Sequence, residues 1–376
     1  MAEPFKNLLN KKVIEGIAGH FKKQWVDFDV NGFVTMATKN LDTLELKART
    51  DRIAETMAEY LPADFEQAGN IMLASLGSPL VNDLSAGKID DEGIAGWAIM
   101  PMTHYVGLHG HNHFDLSMML FKEMTRRASA EFGIRFFLLK SPVKTLSVLK
   151  GWTKDKDRHV RRLVSEGIRP RLPWSMNLPL FIKDPSPVIE ILELLKDDNE
   201  EYVRRSVANN LNDIAKDHPD LVAEIAARWL QDASQSRKKL IRHACRTLIK
   251  NGHKKTLAVL GYKPAKIKQV SIDMLTPVVM FGDALEFTLS MCSNAKSDQA
   301  LMIDYIIHHQ KANGSTSPKV FKWRTTTLPE NKVLRSTKRH VIKKITTRVY
   351  YPGVHRVEVM INGVPMAAAD FLLVMQ

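Results

Sequence analysis

Glu131 and Glu166 each stand four residues after the second arginine of a pair, Arg126-Arg127 and Arg161-Arg162. A third pair, Arg204-Arg205, has Asn209 at the same place, and Asp213 follows one helical turn later on the same face. If an arginine-rich face binds a polyanion, carboxylates within it repel phosphate and need a positive charge to meet. That charge could sit on a ligand or develop in a transition state. A base methylated at a ring nitrogen is a cation, and breaking its glycosidic bond leaves an oxocarbenium-like sugar. Fixed carboxylates shielded from water would stabilise both, and an aromatic ring nearby could add cation–π attraction. A structural reading stands beside this one. Arg127–Glu131 and Arg162–Glu166 are i,i+4 pairs that could simply join on one helix surface, at ~0.2–0.5 kcal/mol each. Asp213 would then be a solvated acid near a helix end, and Trp174 a packing residue.

The elements that must position these groups recur. The first arginine of each motif falls at 126, 161, 204 and, in the weaker copy Ile241-Arg242-His243-Ala244, at 242, giving intervals of 35, 43 and 38 residues. A period near 40 suits two-helix repeats of the HEAT or armadillo kind, and four copies can bury their apolar faces against one another as a solenoid. Stacking would line equivalent positions along one concave face. A helix starting near Arg158 is stopped by Gly167 and Pro170, leaving Arg169, Arg171 and Trp174 on a loop. Ser186-Pro187 reads as an N-cap and first helical residue, Asp198 or Asn199 as the cap of the next helix, and Pro219 as a restart.

Residues 1–115 read as a helical amino-terminal part, with apolar stripes at Leu8, Val13, Ile14, Ile17 and Phe21 and from Leu46 to Leu61, and breaks at Gly32 and Pro62. The clearest repeats occupy 121–260, so the helical region spans 1–260. Within 93–115, His104, His109, His111 and His113 would put three imidazoles on one side of an extended segment. Zinc could use such a set, which keeps a metal-dependent hydrolase as a rival, but imidazoles bonded to backbone groups suit the pattern better. From 264 to 376 the period becomes two. Lys266–Leu275, Ala284–Cys292, Leu301–His309 and Val320–Thr327 read as strands, followed by strand, turn, strand, Asn-Gly hairpin and strand from Val349. About seven strands fit an immunoglobulin-like sandwich, with Tyr350 or Tyr351 at a corner.

Lysine and arginine number 54 against 41 acids, a net charge of +13. From Tyr262 onward there are 16 basic and 8 acidic residues. The excess favours a polyanionic partner, nucleic acid or an acidic membrane surface. Hydrophobic content of 44% and charged content of 25% are those of a globular protein. The longest uncharged stretch, Gly93 to Phe114, is broken by histidines, glycines and a proline and is no membrane span. Two cysteines in regions of different character offer no disulfide framework, and the expected setting is reducing and cytoplasmic.

The strings RRASAEFGIRFF, VSEGIRPRLPW and YVRRSVANNLNDIAKDHP resemble the AlkC group of HEAT-like-repeat DNA glycosylases, which excise alkylated bases. The resemblance extends to the carboxy-terminal immunoglobulin-like domain that some members carry. It implies a monofunctional glycosylase, a monomer on duplex DNA, that removes 3-methyladenine and 3-methylcytosine from bent, stacked DNA without a flipping pocket, and it implies no metal and no cofactor. Carried over by position, Glu131, Glu166, Trp174 and Asp213 would form the catalytic cluster. Asp213 would position water and stabilise the sugar, the two glutamates would hold the cationic nucleotide, and Trp174 would lie against sugar or base. Arg126, Arg161, Arg162, Arg169, Arg171, Arg204, Arg205 and Arg242 are the expected DNA contacts. A non-catalytic nucleic-acid or protein-binding scaffold is the alternative, although a pure scaffold has no reason to line its binding face with acids.

Overall fold

The structure is a computed structural model that describes residues 4–80 and 87–375. Helices continue as far as Val259 and strands begin at Ile267, so a helical-repeat region precedes an all-β, immunoglobulin-like one. The chain forms two compact units. The first ends at Asp217 and takes in Ser234–Ala244; the second comprises His218–Ala233 and the chain from Cys245.

In the first unit, helices Phe114–Thr125, Arg158–Gly167, Glu201–Ile214 and Gln235–Ala244 pack each upon the next. Helices Pro142–Trp152 and Ser186–Leu195 lie against the Arg158 helix, and Ser186–Leu195 also against the Glu201 helix. The packing follows from spacing. Val160, Leu163 and Val164, then Val203, Val207, Leu211 and Ile214, recur at helical intervals and are fully buried. Each such side chain contributes about 1.5–3 kcal/mol on leaving water. Asp157 caps the Arg158 helix by accepting from the His159 N–H at 2.7 Å. At its other end Gly167 meets helix Ile134–Lys140 so closely that a Cβ would lie 2.9 Å from Ile134 Cγ2. The chain then leaves as the loop that carries Arg169, Arg171 and Trp174.

Several local expectations change. Gly32 does not break a helix; it lies in the first turn of Val30–Thr38, its N–H capped by Asp29 Oδ1 at 3.0 Å, where a Cβ would lie 2.7 Å from Tyr60 Cε1. The histidine segment is not extended. His104 and His109 belong to helix Ile99–His109, His111 to a 3-10 turn and His113 to the start of Phe114–Thr125. Helical burial of Ile99, Met102, Tyr105 and Val106 decides this. The imidazoles meet Asp51, Glu66 and the rings of Phe65, Tyr105, Phe136 and Phe137. No group of three or more His, Cys, Asp or Glu among the described residues could hold a metal ion. Helix Ser186–Leu195 is capped by Asp184, which accepts from Ser186 N, and not by Ser186.

The second unit carries β1 (Ile267–Met274), β2 (Val278–Met280), β3 (Ala284–Ser293), β4 (Gln299–Gln310), β5 (Thr316–Leu328), β6 (Val333–Val341), β7 (Gly353–Ile361) and β8 (Val364–Val374). One sheet runs β1-β3-β6 and the other β2-β8-β7-β4-β5. Phe287, Leu289 and Met291 alternate into a shared core with Leu301, Ile303, Val357, Val359 and Phe371. The Asn362-Gly363 turn joins β7 to β8 with φ of 49° and 75°, as a two-residue hairpin requires. Strands β2 and β6 were not anticipated, and Val349–Pro352 form no strand. Tyr350 instead packs against His309 and Phe281. Helices Pro219–Leu230, Arg246–Lys250 and Lys254–Val259 belong to this unit, joined where Asp220 meets His253 and Lys255. Among the described residues no helix is long and apolar enough to cross a membrane.

Candidate active site

Four elements of the first unit converge on one line of charges: the turn that carries Glu131, the Arg158 helix, the loop after it and the carboxy-terminal end of the Glu201 helix. Arg162, from the Arg158 helix, reaches Glu131 Oε2 with Nη1 at 2.5 Å and lies 3.6 Å from Glu166 Oε1. Arg169, from the loop, donates from Nη1 to Glu166 Oε1 at 2.5 Å and from Nε to Asp213 Oδ2 at 2.7 Å. Asp213 Oδ1 then accepts from Lys216 Nζ at 3.0 Å. The order is therefore Glu131, Arg162, Glu166, Arg169, Asp213, Lys216, with signs alternating throughout. Glu166, Arg169 and Asp213 are 4%, 7% and 2% exposed, so these are desolvated ion pairs rather than a surface ladder. A buried charge of this kind persists only when paired and hydrogen-bonded.

Other side chains complete the arrangement. Ser206 donates to Glu166 Oε2 at 2.5 Å, Ser165 donates to Ser206 at 2.5 Å, and Asn210 Nδ2 holds the Ser165 carbonyl at 2.8 Å. Ser129 donates to Glu131 at 2.6 Å. Burial alone would raise the pKa of Glu166, but Arg162, Arg169 and the Ser206 hydroxyl outweigh it and hold the carboxyl below its usual range. Burial likewise disfavours charge on Arg169, and Glu166 and Asp213 overcome it, raising its pKa. Glu166 is thus kept ionised in a place where water is scarce.

The loop itself is fastened by Arg135, which is fully buried. Its guanidinium donates to the carbonyls of Gly167, Arg169 and Met176, at 2.6–2.9 Å. Burial, with Arg169 nearby, pushes its pKa down to about 10. So anchored, the loop turns Trp174 outward with φ at 65° and the side chain 66% exposed. Left-handed backbone is uncommon for so bulky a residue and marks a position held by its surroundings. The ring rests 5.6 Å from Phe5.

The structure brings Glu131, Glu166, Asp213 and the loop of Trp174 together, but not through equivalent positions of a repeat. The Phe114 helix ends at Thr125, so Glu131 lies in a turn and pairs with Arg162, while Arg127 pairs with Glu123. Asn209, third in the expected row, faces His243 instead. Among the arginines, Arg162 and Arg169 lie within the cluster, and Arg171 grips Asp217 with two bonds of 2.8 and 2.9 Å. Arg126 bridges Glu123 and Asp157, and Arg161 grips Asp198. Arg204 donates to the Asp198 carbonyl, while Arg205 and Arg242 are exposed. Arg135, Ser206 and Lys216 escaped the sequence reading. A lone arginine inside the apolar run IRFFLL was the available signal for the first.

Residues 128–248 match the family described as DNA alkylation repair enzyme, and residues 268–375 match the C-terminal Ig-like domain of the uncharacterised protein YhaZ. The chain is 36% identical over 368 residues to the uncharacterised protein YhaZ of Bacillus subtilis (strain 168), covering 97% of this chain and 98% of the relative. It is also similar to the alkylpurine DNA glycosylase AlkC of Pseudomonas fluorescens, solved bound to DNA containing an abasic-site analog. That match has a TM-score of 0.84 and 33% identity, and covers 99% of this chain and 100% of the other. Fold and comparisons together define a helical-repeat enzyme of DNA alkylation repair. Within that class, the chain belongs to the AlkC-type alkylpurine DNA glycosylase family, in the form with a carboxy-terminal immunoglobulin-like domain.

Proposed function

We propose that this protein excises cationic N3-alkylated bases, 3-methyladenine and 3-methylcytosine, from duplex DNA, as a monofunctional glycosylase acting without base flipping. The observation that carries the reading is the run of ion-paired carboxylates Glu131, Glu166 and Asp213, the last two buried and held by Arg169 from the loop that exposes Trp174. In this reading Glu131 and Glu166 stabilise the positive charge of the methylated nucleotide. Asp213 stabilises the oxocarbenium-like sugar and positions the water that attacks it. Trp174, projecting into solvent, meets the sugar or base at the surface of the duplex.

Lys216 supplies the exchange that this chemistry needs. Its side chain is 45% exposed and it is the outermost cation on Asp213. Swinging to a phosphate would free Oδ1 for the developing sugar charge, so that backbone binding uncovers the catalytic anion. Exposed Arg205 and Arg242 are the outward phosphate contacts, and Arg126, Arg161, Arg171 and Arg204 reach DNA only by exchanging their present partners. The protein acts as a monomer. The test is to treat methylated duplex DNA with purified protein and separate the products by chromatography. Free 3-methyladenine and 3-methylcytosine should appear, with no covalent complex on borohydride reduction. Full retention of both bases in the DNA would overturn the proposal.

A further inference from the structure

Beside the charge network lies a cleft of about 310 Å³, at the small end of the range for sites that hold one compact ligand. Trp97, Met100, Phe132 and Tyr202 form its apolar walls, and Glu131 and Arg162 its polar edge. The two charges are bound to each other at 2.5 Å, and Arg162 also lies 5.3 Å from the Tyr202 ring centroid. The cleft therefore offers flat walls, a carboxylate acceptor and guanidinium donors, but no spare charge. A neutral planar heterocycle with a donor and an acceptor on one edge gains stacking and hydrogen bonds.

The proposed reaction makes such a molecule. When the glycosidic bond of an N3-methylated adenine nucleotide breaks, its electron pair goes to the base nitrogen and cancels the positive charge. The sugar carbon takes the oxygen of water, and one water proton is released. We infer that this cleft receives the departing base, binding free, neutral 3-methyladenine after excision. The inference rests on the glycosylase reading, because that reaction supplies the ligand.

Titration calorimetry of the full chain with 3-methyladenine tests it. Saturable binding is expected. Trp97→Ala, which removes one wall, should weaken it by about 10-fold, the scale of losing one stacking surface. Met100→Trp, which fills the space from helix Ile99–His109, should weaken it similarly without lowering the melting temperature. In multiple-turnover assays added 3-methyladenine should inhibit the wild type and spare both variants. Absence of binding to the wild type, or equal binding by all three proteins, would overturn the inference. Single-turnover excision by the same preparations separates the two ideas. Excision without base binding sinks the cleft alone, whereas base binding without excision supports the cleft and sinks the glycosylase.

Discussion

Asp213→Asn separates a catalytic acid from a structural one. The side chain is 3% exposed, with Oδ2 on Arg169 and Oδ1 on Lys216. Asparagine fits the same space, but its amide is a donor on one side and must face one of those two cations. One charge-assisted hydrogen bond is lost, normally worth about 1.5–3 kcal/mol. Glu166 still neutralises Arg169, so the stability loss should fall at the low end, about 1–2 kcal/mol. The catalytic loss should be larger. A preorganised group that meets charge arising only in the transition state is worth about 10²–10³-fold in rate, or about 2.7–4 kcal/mol. The assay is single-turnover excision of one N3-methylated base, with DNA affinity measured in parallel. Affinity should stay equal or rise slightly, because a carboxylate near phosphate has gone. Wild-type excision by folded Asp213→Asn protein would show that Asp213 is only a staple.

Arg169→Gln removes one of the two guanidiniums that hold Glu166 ionised, so that carboxyl should become harder to ionise. Glu166 now titrates below its usual range, so the acid limb of the rate profile should move up by about 1–3 units; an unmoved limb would deny Arg169 this role. Lys216→Gln should raise the single-turnover rate by up to about 5-fold, the Coulomb scale of one water-screened charge, and lower DNA affinity. A slower chemical step would contradict the exchange. Arg205→Ala and Arg242→Ala should each reduce the salt slope of DNA binding by about 0.9, and unchanged slopes would remove them from the interface. Buried His309 has its pKa pushed to about 3, by burial first and then by neighbouring cations including Arg348. The unfolded chain binds that proton below about 6.5 and the folded one only near 3. Stability should therefore fall as pH drops through this window, by roughly 1 kcal/mol per unit, and His309→Asn should flatten the loss in chemical-denaturation curves.

Much of the frame could be read from spacing. Apolar positions three and four apart in RHVRRLVSEG and EYVRRSVANNLNDI set both helices and the faces they bury. Gly167 and Pro170 marked where the first one stops, and alternation marked most strands. The site was legible as a set of residues but not as a set of partners. Spacing along one helix suggested Arg127 with Glu131, whereas the structure joins Arg162 to Glu131 and Arg169 to Asp213 across the packed repeats. No local pattern reports a contact between residues 31 or 44 positions apart. For the same reason Arg169 read as a DNA contact and is buried between two acids. Arg135 read as one letter in an apolar run and holds the Trp174 loop by its carbonyls. The histidine segment misled because alternation is a strand signal only when the intervening residues do not bury at helical spacing.

The central claim is most directly tested on a duplex with a single N3-methyladenine, incubated with wild-type protein or Asp213→Asn and then divided. One half is treated with alkali and the other is not. The account predicts strand cleavage at the lesion only after alkali, which reports an abasic site, and a yield from Asp213→Asn about 10²–10³-fold slower to appear. Tight binding of that duplex by wild-type protein with no alkali-labile site would contradict it, and would leave the carboxylate network a structural staple in a DNA-binding scaffold.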